Sequence, residues 1–198
     1  MRGNKTQAKG QQKLRIIAGQ WRSRQLSFPS VPGLRPTGDR IRETLFNWLA
    51  ADVPGARCLD LFAGSGALSF EALSRGAASC TALERHPDAV RQLTDNKALL
   101  KADSLSVIEA DCQQYLHQKA PDKGYHIVFI DPPFDAQLQG DICATINNSA
   151  WLAPGATIYC ELPATDSGFV APRNWEQRQQ KVAGDVKYCL YSYIEPRD

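Results

Sequence analysis

The sequence predicts an α/β fold of the Rossmann-like type, with a mainly parallel seven-stranded sheet, helices on both faces and a small N-terminal β-hairpin. From residue 56 onward, short apolar segments alternate with helical ones, as is typical of parallel sheets covered by helices. The chain has 198 residues, of which 43% are hydrophobic and 22% charged, enough for one domain with a full core. Charged and glycine-containing segments follow the apolar ones, at the strand ends where such sheets bind ligands.

The N-terminal part of the chain precedes this alternating region. Residues 1–13 are polar and basic and are predicted to form a disordered tail. Residues 14–36 are predicted to form two short strands around a glycine-containing turn, followed by a proline-rich loop. Residues 37–53 have apolar side chains at helical spacing, and Thr37 or Asp39 is the expected N-cap.

The main domain is predicted to span residues 37–198. Strands are expected at 57–62, 79–84, 105–110, 126–131 and 156–162, and helices at 66–76, 87–101, 111–119 and 136–150. Gly184 and Asp185 separate two β-rich segments near the end of the chain, which predicts a closing hairpin over 175–196. The two strands of this hairpin complete the seven.

Charge is distributed unevenly along the chain, although the net charge is only +2. Residues 1–42 contain ten basic residues and one acid, whereas the remainder contains 13 basic and 20 acidic residues. A basic arm on an acidic body suggests a polyanionic partner. The alternative is a solvated segment that aids solubility.

Neither a membrane-spanning nor an exported protein is expected. No apolar run approaches the roughly 20 residues needed to cross a bilayer, and residues 1–13 lack the apolar segment of a secretory signal. The six cysteines form no CxxC pair, and six reduced thiols point to the cytoplasm. His86, His117 and His126 have no ligand-like spacing, so no metal is expected. Without a coiled-coil repeat, a monomer is expected.

The segment DLFAGSGAL, which begins at Asp60, suggests a cofactor-binding turn. Gly64 and Gly66 allow a tight turn and the close approach of a ligand. A dinucleotide-binding turn has a third glycine where this chain has Ser69. Asp60 would lie poorly beside a diphosphate, but it suits the sulfonium and ammonium charges of S-adenosylmethionine. A purely structural strand–helix turn is the alternative.

Two further acids follow the next two strands. Glu84 comes 18 residues after Gly66, a spacing at which an acid accepts hydrogen bonds from ribose hydroxyls. Asp111 is available to accept from an adenine amino group. Each acid has a structural alternative, because either side chain could instead cap the helix that follows it.

The segment FIDPPFD, Phe129 to Asp135, ends the fourth main strand with an acid, two rigid prolines and an aromatic ring. It resembles the (D/N/S)-P-P-(F/Y/W) signature of methyltransferases that modify exocyclic amino nitrogens of bases. Asp131 and a backbone carbonyl held by Pro132 could bond the two N–H groups of the amino nitrogen and aim its lone pair at the methyl carbon. Phe134 could stack on the target base. A simple strand-terminating loop is the alternative.

With these motifs in hand, the chain resembles the bacterial small-subunit ribosomal RNA guanine-N2 methyltransferase D family. The resemblance runs from Leu14 onward and is carried by RIIAGQWRSRQL, LRPTGDRIRETLFNWL, CLDLFAGSGALSFEALSRGA and FIDPPF. It implies a class I methyltransferase fold, S-adenosylmethionine as cofactor, and methylation of N2 of guanine 966 in 16S rRNA, within the small ribosomal subunit or an assembly intermediate.

The resemblance also implies roles for individual residues. Asp60, Gly64 and Gly66 would line the methionine end of the cofactor, Glu84 the ribose and Asp111 the adenine, while Asp131, Pro132 and Phe134 would hold the guanine. Together with the charge distribution, it predicts an RNA-contacting segment over 14–36 and RNA-binding side chains at Arg15, Arg22, Arg24, Arg35 and Arg40. The residues leave two alternatives open: an N6-adenine methyltransferase acting on DNA or RNA, and a non-catalytic RNA-binding assembly factor.

Overall fold

The structure, a computed structural model, describes residues 11–30, 37–133, 139–166 and 168–195. The strands in these ranges are β1 (Gln11–Arg15), β2 (Gln25–Pro29), β3 (Arg57–Asp60), β4 (Ser79–Glu84), β5 (Leu105–Glu109), β6 (Tyr125–Ile130), β7 (Leu152–Pro163), β8 (Trp175–Ala183) and β9 (Val186–Tyr193). The helices are α1 (Asp39–Trp48), α2 (Ala67–Ser74), α3 (Pro87–Leu100), α4 (Cys112–Leu116) and α5 (Gln139–Asn147).

The main sheet has seven strands in the order β5-β4-β3-β6-β7-β9-β8. The first five of these pair in parallel, and β9 is antiparallel to both of its neighbours. The predicted fold class is therefore confirmed. Strand order reverses between β3 and β6, and ligands of such sheets bind beyond the carboxyl ends of the strands at this reversal.

Helices cover both faces of the sheet. On one face, the hairpin formed by β1 and β2 packs with α1, α2 and α3 against strand residues that include Cys58, Ile127 and Phe129. On the other face, α4 and α5 pack against the alternate residues, such as Leu59 and Val128. Successive side chains of a strand point to opposite faces, so each buried strand contributes to both halves of the core.

The N-terminal elements differ in detail from the prediction. β1 begins at Gln11, so the last three residues of the predicted tail belong to a strand. Their side chains are polar, but their backbone pairs with Ser27–Pro29. Residues 1–10 and 31–36 lie outside the described residues. Helix α1 covers residues 39–48 of the predicted 37–53, and its N-cap is Gly38. Thr37 and Asp39 do not cap it, since both side chains bind elsewhere.

The N-terminal hairpin shares the core of the sheet domain. Leu14, Ile16, Leu26 and Phe28 are buried in the cluster that also contains the residues of α1 and α2. The turn that joins the two strands docks on the end of α2, where the Trp21 amide donates to Ser74 Oγ at 3.0 Å. The hairpin is therefore fixed to the domain by its apolar side chains and by its turn.

Glu71 of α2 is the buried charge to which these N-terminal elements attach. Its side chain is fully buried and accepts four hydrogen bonds, two on each oxygen. Oε2 accepts from the Ile17 amide at 2.8 Å and from Arg42 Nη1 at 3.4 Å, while Oε1 accepts from the Ala18 amide at 3.0 Å and from Arg75 Nε at 2.7 Å. A buried carboxylate with every lone pair used is well placed to hold three separate segments together.

Replacing Glu71 with alanine should destabilise the fold strongly. Arg42 is only 1% exposed and pairs with Glu71 and Asp39, so the variant would remove one of the two carboxylates that compensate its buried charge and leave two amide groups without acceptors. We expect the free energy of unfolding in urea to fall by about 3–5 kcal/mol. The control is Glu43→Ala on the exposed side of α1, with an expected change within about 0.5 kcal/mol. Equal effects of the two variants would contradict this role for Glu71.

Candidate active site

Four acids predicted from the sequence lie at one edge of the sheet. Asp60 and Glu84 end β3 and β4, Asp111 follows β5, and Asp131 follows β6. Because these strands are parallel neighbours, their carboxyl ends meet at the same edge. The structure therefore brings together residues that are up to 71 positions apart in the sequence.

The turn after β3 is tied to the end of β4 by Glu84. Its Oε2 accepts from the Gly64 amide at 2.9 Å, and its Oε1 accepts from the His86 amide at 2.7 Å. Gly64 has a φ of +51°, in the left-handed region that favours glycine. Each carboxylate oxygen keeps a free lone pair, so Glu84 can still accept from a ligand hydroxyl.

Gly66 is required by packing as well as by its backbone conformation. It has a φ of +80°, and a Cβ atom there would lie 2.6 Å from both Leu93 and Phe70. These are core side chains of α3 and α2. The expectation that Gly66 allows the approach of a ligand stays untested, but the tight contact seen in the structure is with the core.

Asp60, at the end of β3, is buried beneath the turn and binds the first part of α2. It is only 2% exposed, and its Oδ2 accepts from Ser69 Oγ at 2.6 Å. Burial raises the pKa of Asp60 to about 6, although hydrogen bonds from Ser69 and from the Phe62 amide favour the ionised form. Ser69 occupies the place of the third glycine of dinucleotide-binding turns, and here it fastens α2 to β3.

Asp111 is the N-cap of α4. Its Oδ1 accepts from the amides of Gln113 and Gln114, at 3.0 and 3.2 Å. Asp111 therefore caps the helix that follows it, which is the structural alternative that the sequence left open. A role toward adenine is compatible with it, because a carboxylate has two oxygens and Oδ1 alone makes the cap.

Asp131 leaves β6 beside a second acid that the sequence motifs did not single out. Its Oδ2 accepts from Thr37 Oγ1 at 3.1 Å. Glu161 of β7 lies next to it, is 4% exposed and accepts from the Tyr159 hydroxyl at 2.7 Å. Desolvation and the nearby Glu161 raise the pKa of Asp131 well above its ordinary value. Pro132 is buried, whereas Phe134 lies outside the described residues.

The predicted RNA-binding arginines fall into two groups. Arg15 and Arg40 lie near the start of α1, where Arg15 Nη2 pairs with Asp39 Oδ2 at 3.5 Å. Arg22 and Arg24 lie in the hairpin turn that docks at the far end of α2 from Gly66. An eight-residue helix separates the two ends by about 12 Å. These four side chains are exposed, and Arg35 lies outside the described residues.

Three residues of the site region could have been noticed in the sequence. Glu161 is an acid in the apolar segment ATIYCEL, and strand periodicity places it on the same face as Tyr159. Glu71 lies between Phe70 and Ala72 in an apolar stretch of α2, and Arg42 is on the same face of α1 as Leu45 and Phe46, so both charges could be expected near the core. No sequence rule predicts that the Thr37 hydroxyl donates to Asp131 instead of capping α1, because this hydrogen bond depends on how α1 packs against the sheet.

The described ranges contain neither a metal-binding cluster nor a membrane-spanning helix. Within them, no group of three or more His, Cys, Asp or Glu side chains is arranged to hold a metal ion. No helix in the same part of the chain is both long and apolar enough to span a membrane.

Comparison with known proteins decides the family. The model of the family described as conserved hypothetical protein 95 matches residues 14–192. The ribosomal RNA small subunit methyltransferase D of Escherichia coli is 47% identical over 182 residues, 92% of this chain and 91% of that protein. The chain belongs to this family. The member from Haemophilus influenzae is 43% identical over 186 residues, 93% of this chain and 95% of that protein.

Solved structures agree with the family assignment. The Escherichia coli protein yhhF has a TM-score of 0.87 and 45% identity, and the match covers 93% of this chain and all of that one. An RNA methyltransferase from Salinibacter ruber in complex with S-adenosyl-L-homocysteine has a TM-score of 0.63 at 18% identity, covering 83% of this chain and 97% of that one. This second likeness concerns the fold, which is that of the class I methyltransferases.

Gly66→Ala should destabilise the domain more than a matched glycine does. Gly55 has a similar φ of +76°, but apart from its chain neighbours no atom lies within 4 Å of the place a Cβ would take. Gly55→Ala therefore introduces backbone strain but no steric clash, whereas Gly66→Ala introduces both. We expect it to cost about 1 kcal/mol and Gly66→Ala about 1–3 kcal/mol more, measured by urea unfolding. Equal costs would show that the contacts with Phe70 and Leu93 relax freely.

Proposed function

We propose that this protein is an S-adenosylmethionine-dependent methyltransferase that modifies the exocyclic N2 of guanine 966 in 16S rRNA, in the small ribosomal subunit or an assembly intermediate. Such an enzyme works in the cytoplasm. The observation that carries the proposal is the position of Asp131, Pro132 and Pro133 at the strand-order reversal, directly beside the Gly64 turn. Relatives at 43–47% identity are named as small-subunit rRNA methyltransferases.

S-adenosylmethionine, the cofactor predicted from the sequence and that of this family, fits the residues at the strand ends. Glu84 has free lone pairs for ribose hydroxyls, and the carboxylate of Asp111 can accept from an adenine amino group. The turn at Gly64 and Asp60 would hold the methionine end. When bound, the cofactor supplies an electrophilic methyl carbon.

Asp131 would orient the target amino group. The lone pair of an exocyclic amino nitrogen is delocalised into the base, so the nitrogen is a poor nucleophile until its N–H groups are held out of plane. The carboxylate can accept one N–H, and the Pro132–Pro133 segment can present a carbonyl to the other. Thr37 holds the carboxylate and the two proline rings stiffen the segment, so most of the rate effect would come from orientation.

The exposed arginines around the hairpin supply the positive charge for RNA. They carry no base specificity of their own, because phosphate contacts position a nucleic acid without reading it. The target guanine must reach a site at the sheet edge, so we expect it in a loop or bulge from which the base can be splayed out.

A single experiment tests this function and separates it from the two alternatives. The protein is incubated with methyl-labelled S-adenosylmethionine and, in separate reactions, with unmethylated 16S rRNA, 30S particles and DNA, and the labelled nucleoside is identified. N2-methylguanosine at position 966 is the expected result. Labelled N6-methyladenosine would indicate the adenine enzyme, and RNA binding without any label would indicate an assembly factor.

Asp131→Ala should lose turnover but keep cofactor affinity, because its proposed bonds are to the target base. We expect kcat to fall by about 100-fold or more, with an unchanged Kd for S-adenosylmethionine by calorimetry. The control is Asp103→Ala, which removes the same charge from an exposed turn. A parallel loss of turnover and cofactor affinity would assign Asp131 to the cofactor site instead.

Replacing both Arg22 and Arg24 with alanine should weaken the salt dependence of RNA binding. Each phosphate contact contributes roughly 0.7–0.9 to the slope of log affinity against log salt, so the double variant should lose roughly 1.4–1.8. The turn itself is held by backbone bonds, such as that from the Arg24 amide to the Trp21 carbonyl. The control is the Arg173→Ala/Lys181→Ala pair, both exposed near the β8 edge. An unchanged slope would remove these arginines from the RNA interface.

A further inference from the structure

Asp131 and Glu161 occupy matching positions on neighbouring strands. β6 and β7 are parallel, and their register pairs Phe129 with Tyr159 and Ile130 with Cys160. The next position along each strand is Asp131 and Glu161. Both have the same parity as Phe129 and Tyr159, so they project to the face that α1 covers. Parallel strands lie about 4.8 Å apart, which brings the two carboxyl groups within hydrogen-bonding reach.

Glu161 is held firmly in this position. The Tyr159 hydroxyl donates to its Oε1 at 2.7 Å, and Gln139 Nε2 donates to its main-chain carbonyl, also at 2.7 Å. Gln139 is itself buried at the start of α5. A side chain this well ordered next to Asp131 has a defined geometry rather than a range of rotamers.

Two carboxyl groups in contact cannot both remain ionised without a compensating cation. Among the described residues, no lysine or arginine forms an ion pair with Asp131 or Glu161. Burial raises the pKa of both groups, and the nearby Glu161 raises that of Asp131 further, whereas hydrogen bonds with Tyr159, Thr37 and Asp131 lower that of Glu161. Paired carboxyl groups of this kind hold one proton between them over a wide pH range.

We propose that Glu161 is a positioning residue for methyl transfer: it shares one proton with Asp131 at low pH, and once that proton has been lost to water, the charge of Glu161 makes Asp131 a stronger base for the proton of the methylated amino group. The inference rests on the proposed function. Once the amino nitrogen has gained a methyl group, it carries a positive charge and two protons. One N–H bond then breaks and an O–H bond forms on the Asp131 carboxylate. The nitrogen becomes neutral, and the proton leaves the carboxyl pair to water.

Other groups around Asp131 and Glu161 determine which of the two carboxyl groups holds the shared proton. Thr37 donates to Asp131 and favours its ionised form, whereas the carboxylate of Asp60 on β3 disfavours it. Tyr159 donates to Glu161, and Tyr188 of β9 lies beside Tyr159, with ring centroids 6.5 Å apart. The proton of the pair therefore resides mainly on Asp131, while Glu161 accepts from Tyr159 and from Asp131.

The test is the pH profile of kcat in Glu161→Gln. Activity needs an ionised Asp131, so the wild-type rate should rise with pH through the last deprotonation of the pair. The amide removes the carboxylate repulsion, so this acidic limb should move to lower pH by about one unit or more. Glu176→Gln makes the same change on exposed β8 and should leave the limb in place. A Glu161 with a merely structural role would lower the rate equally at all pH values.

Thr37→Val should move the limb in the opposite direction. It removes a hydrogen bond that favours the ionised Asp131, so the limb should shift to higher pH by about half to one unit. Thr37 is half-exposed and precedes α1, so we expect the Thr37→Val variant to fold. It therefore tests the proposal even if Glu161→Gln does not fold. Limbs that stay in place in both variants, or move in the same direction, would overturn the proposal.

A readout without substrate separates this inference from the proposed function. The Asp131 carboxyl carbon, assigned by comparison with Asp131→Asn, is titrated by carbon-13 NMR in the full chain. We expect its midpoint to fall in Glu161→Gln and to rise in Thr37→Val, whether or not rRNA is methylated. An Asp131 that titrates in its ordinary range in the wild type would overturn the proton sharing. Failure of wild type to methylate 16S rRNA, with this titration as expected, would overturn the proposed function alone.

Discussion

The buried carboxylate of Glu71 is the interaction on which the arrangement of the site depends. It binds the hairpin amides of Ile17 and Ala18 and the guanidinium of Arg42. Arg42 in turn donates through Nε to the Thr37 carbonyl at 3.2 Å, and the Thr37 hydroxyl donates to Asp131. The orientation of the acid at the end of β6 is therefore linked, bond by bond, to a charge in the middle of α2. Removing Glu71 would leave Arg42 with only Asp39 as a charged partner, and removing Arg42 would leave Glu71 with only Arg75, so each loss weakens the whole cluster.

The proposed cofactor-binding part of the site is held by hydrogen bonds between neighbouring turns and helix ends. Glu84 joins the turn after β3 to the start of α3, and Ser69 joins Asp60 to α2. Gly66 is confined by Phe70 and Leu93. These contacts are all made within the protein, so they order the binding surface and limit the conformational entropy that is lost when a ligand binds.

The strand–helix alternation and the strand ends were accessible from the sequence because they depend on local periodicity. β4 was predicted residue for residue, and α3 to within one residue. The contact between Asp131 and Glu161 was not accessible, because it depends on the register of β6 against β7. The capping of α1 was predicted wrongly, since Thr37 and Asp39 resemble caps locally but bind Asp131 and Arg42 in the folded chain. Local patterns thus predicted the elements, and tertiary contacts decided which polar side chains work together.

The basic surface and the acidic site meet at Arg15. Its side chain is exposed and pairs with Asp39, while its main-chain carbonyl accepts from Arg42 Nη2 at 2.9 Å. Arg42 is the same residue that holds Thr37 against Asp131. In the proposed complex, an RNA phosphate bound by Arg15 would lie near the acid proposed to receive the base, because part-buried hydrogen bonds through Arg42 and Thr37 join the main chain of Arg15 to Asp131. Arg22 and Arg24 lie farther away, on a turn fixed to the other end of α2. In the proposed complex they would add affinity over an extended RNA, and orientation of the target base would fall to the segment around Arg15.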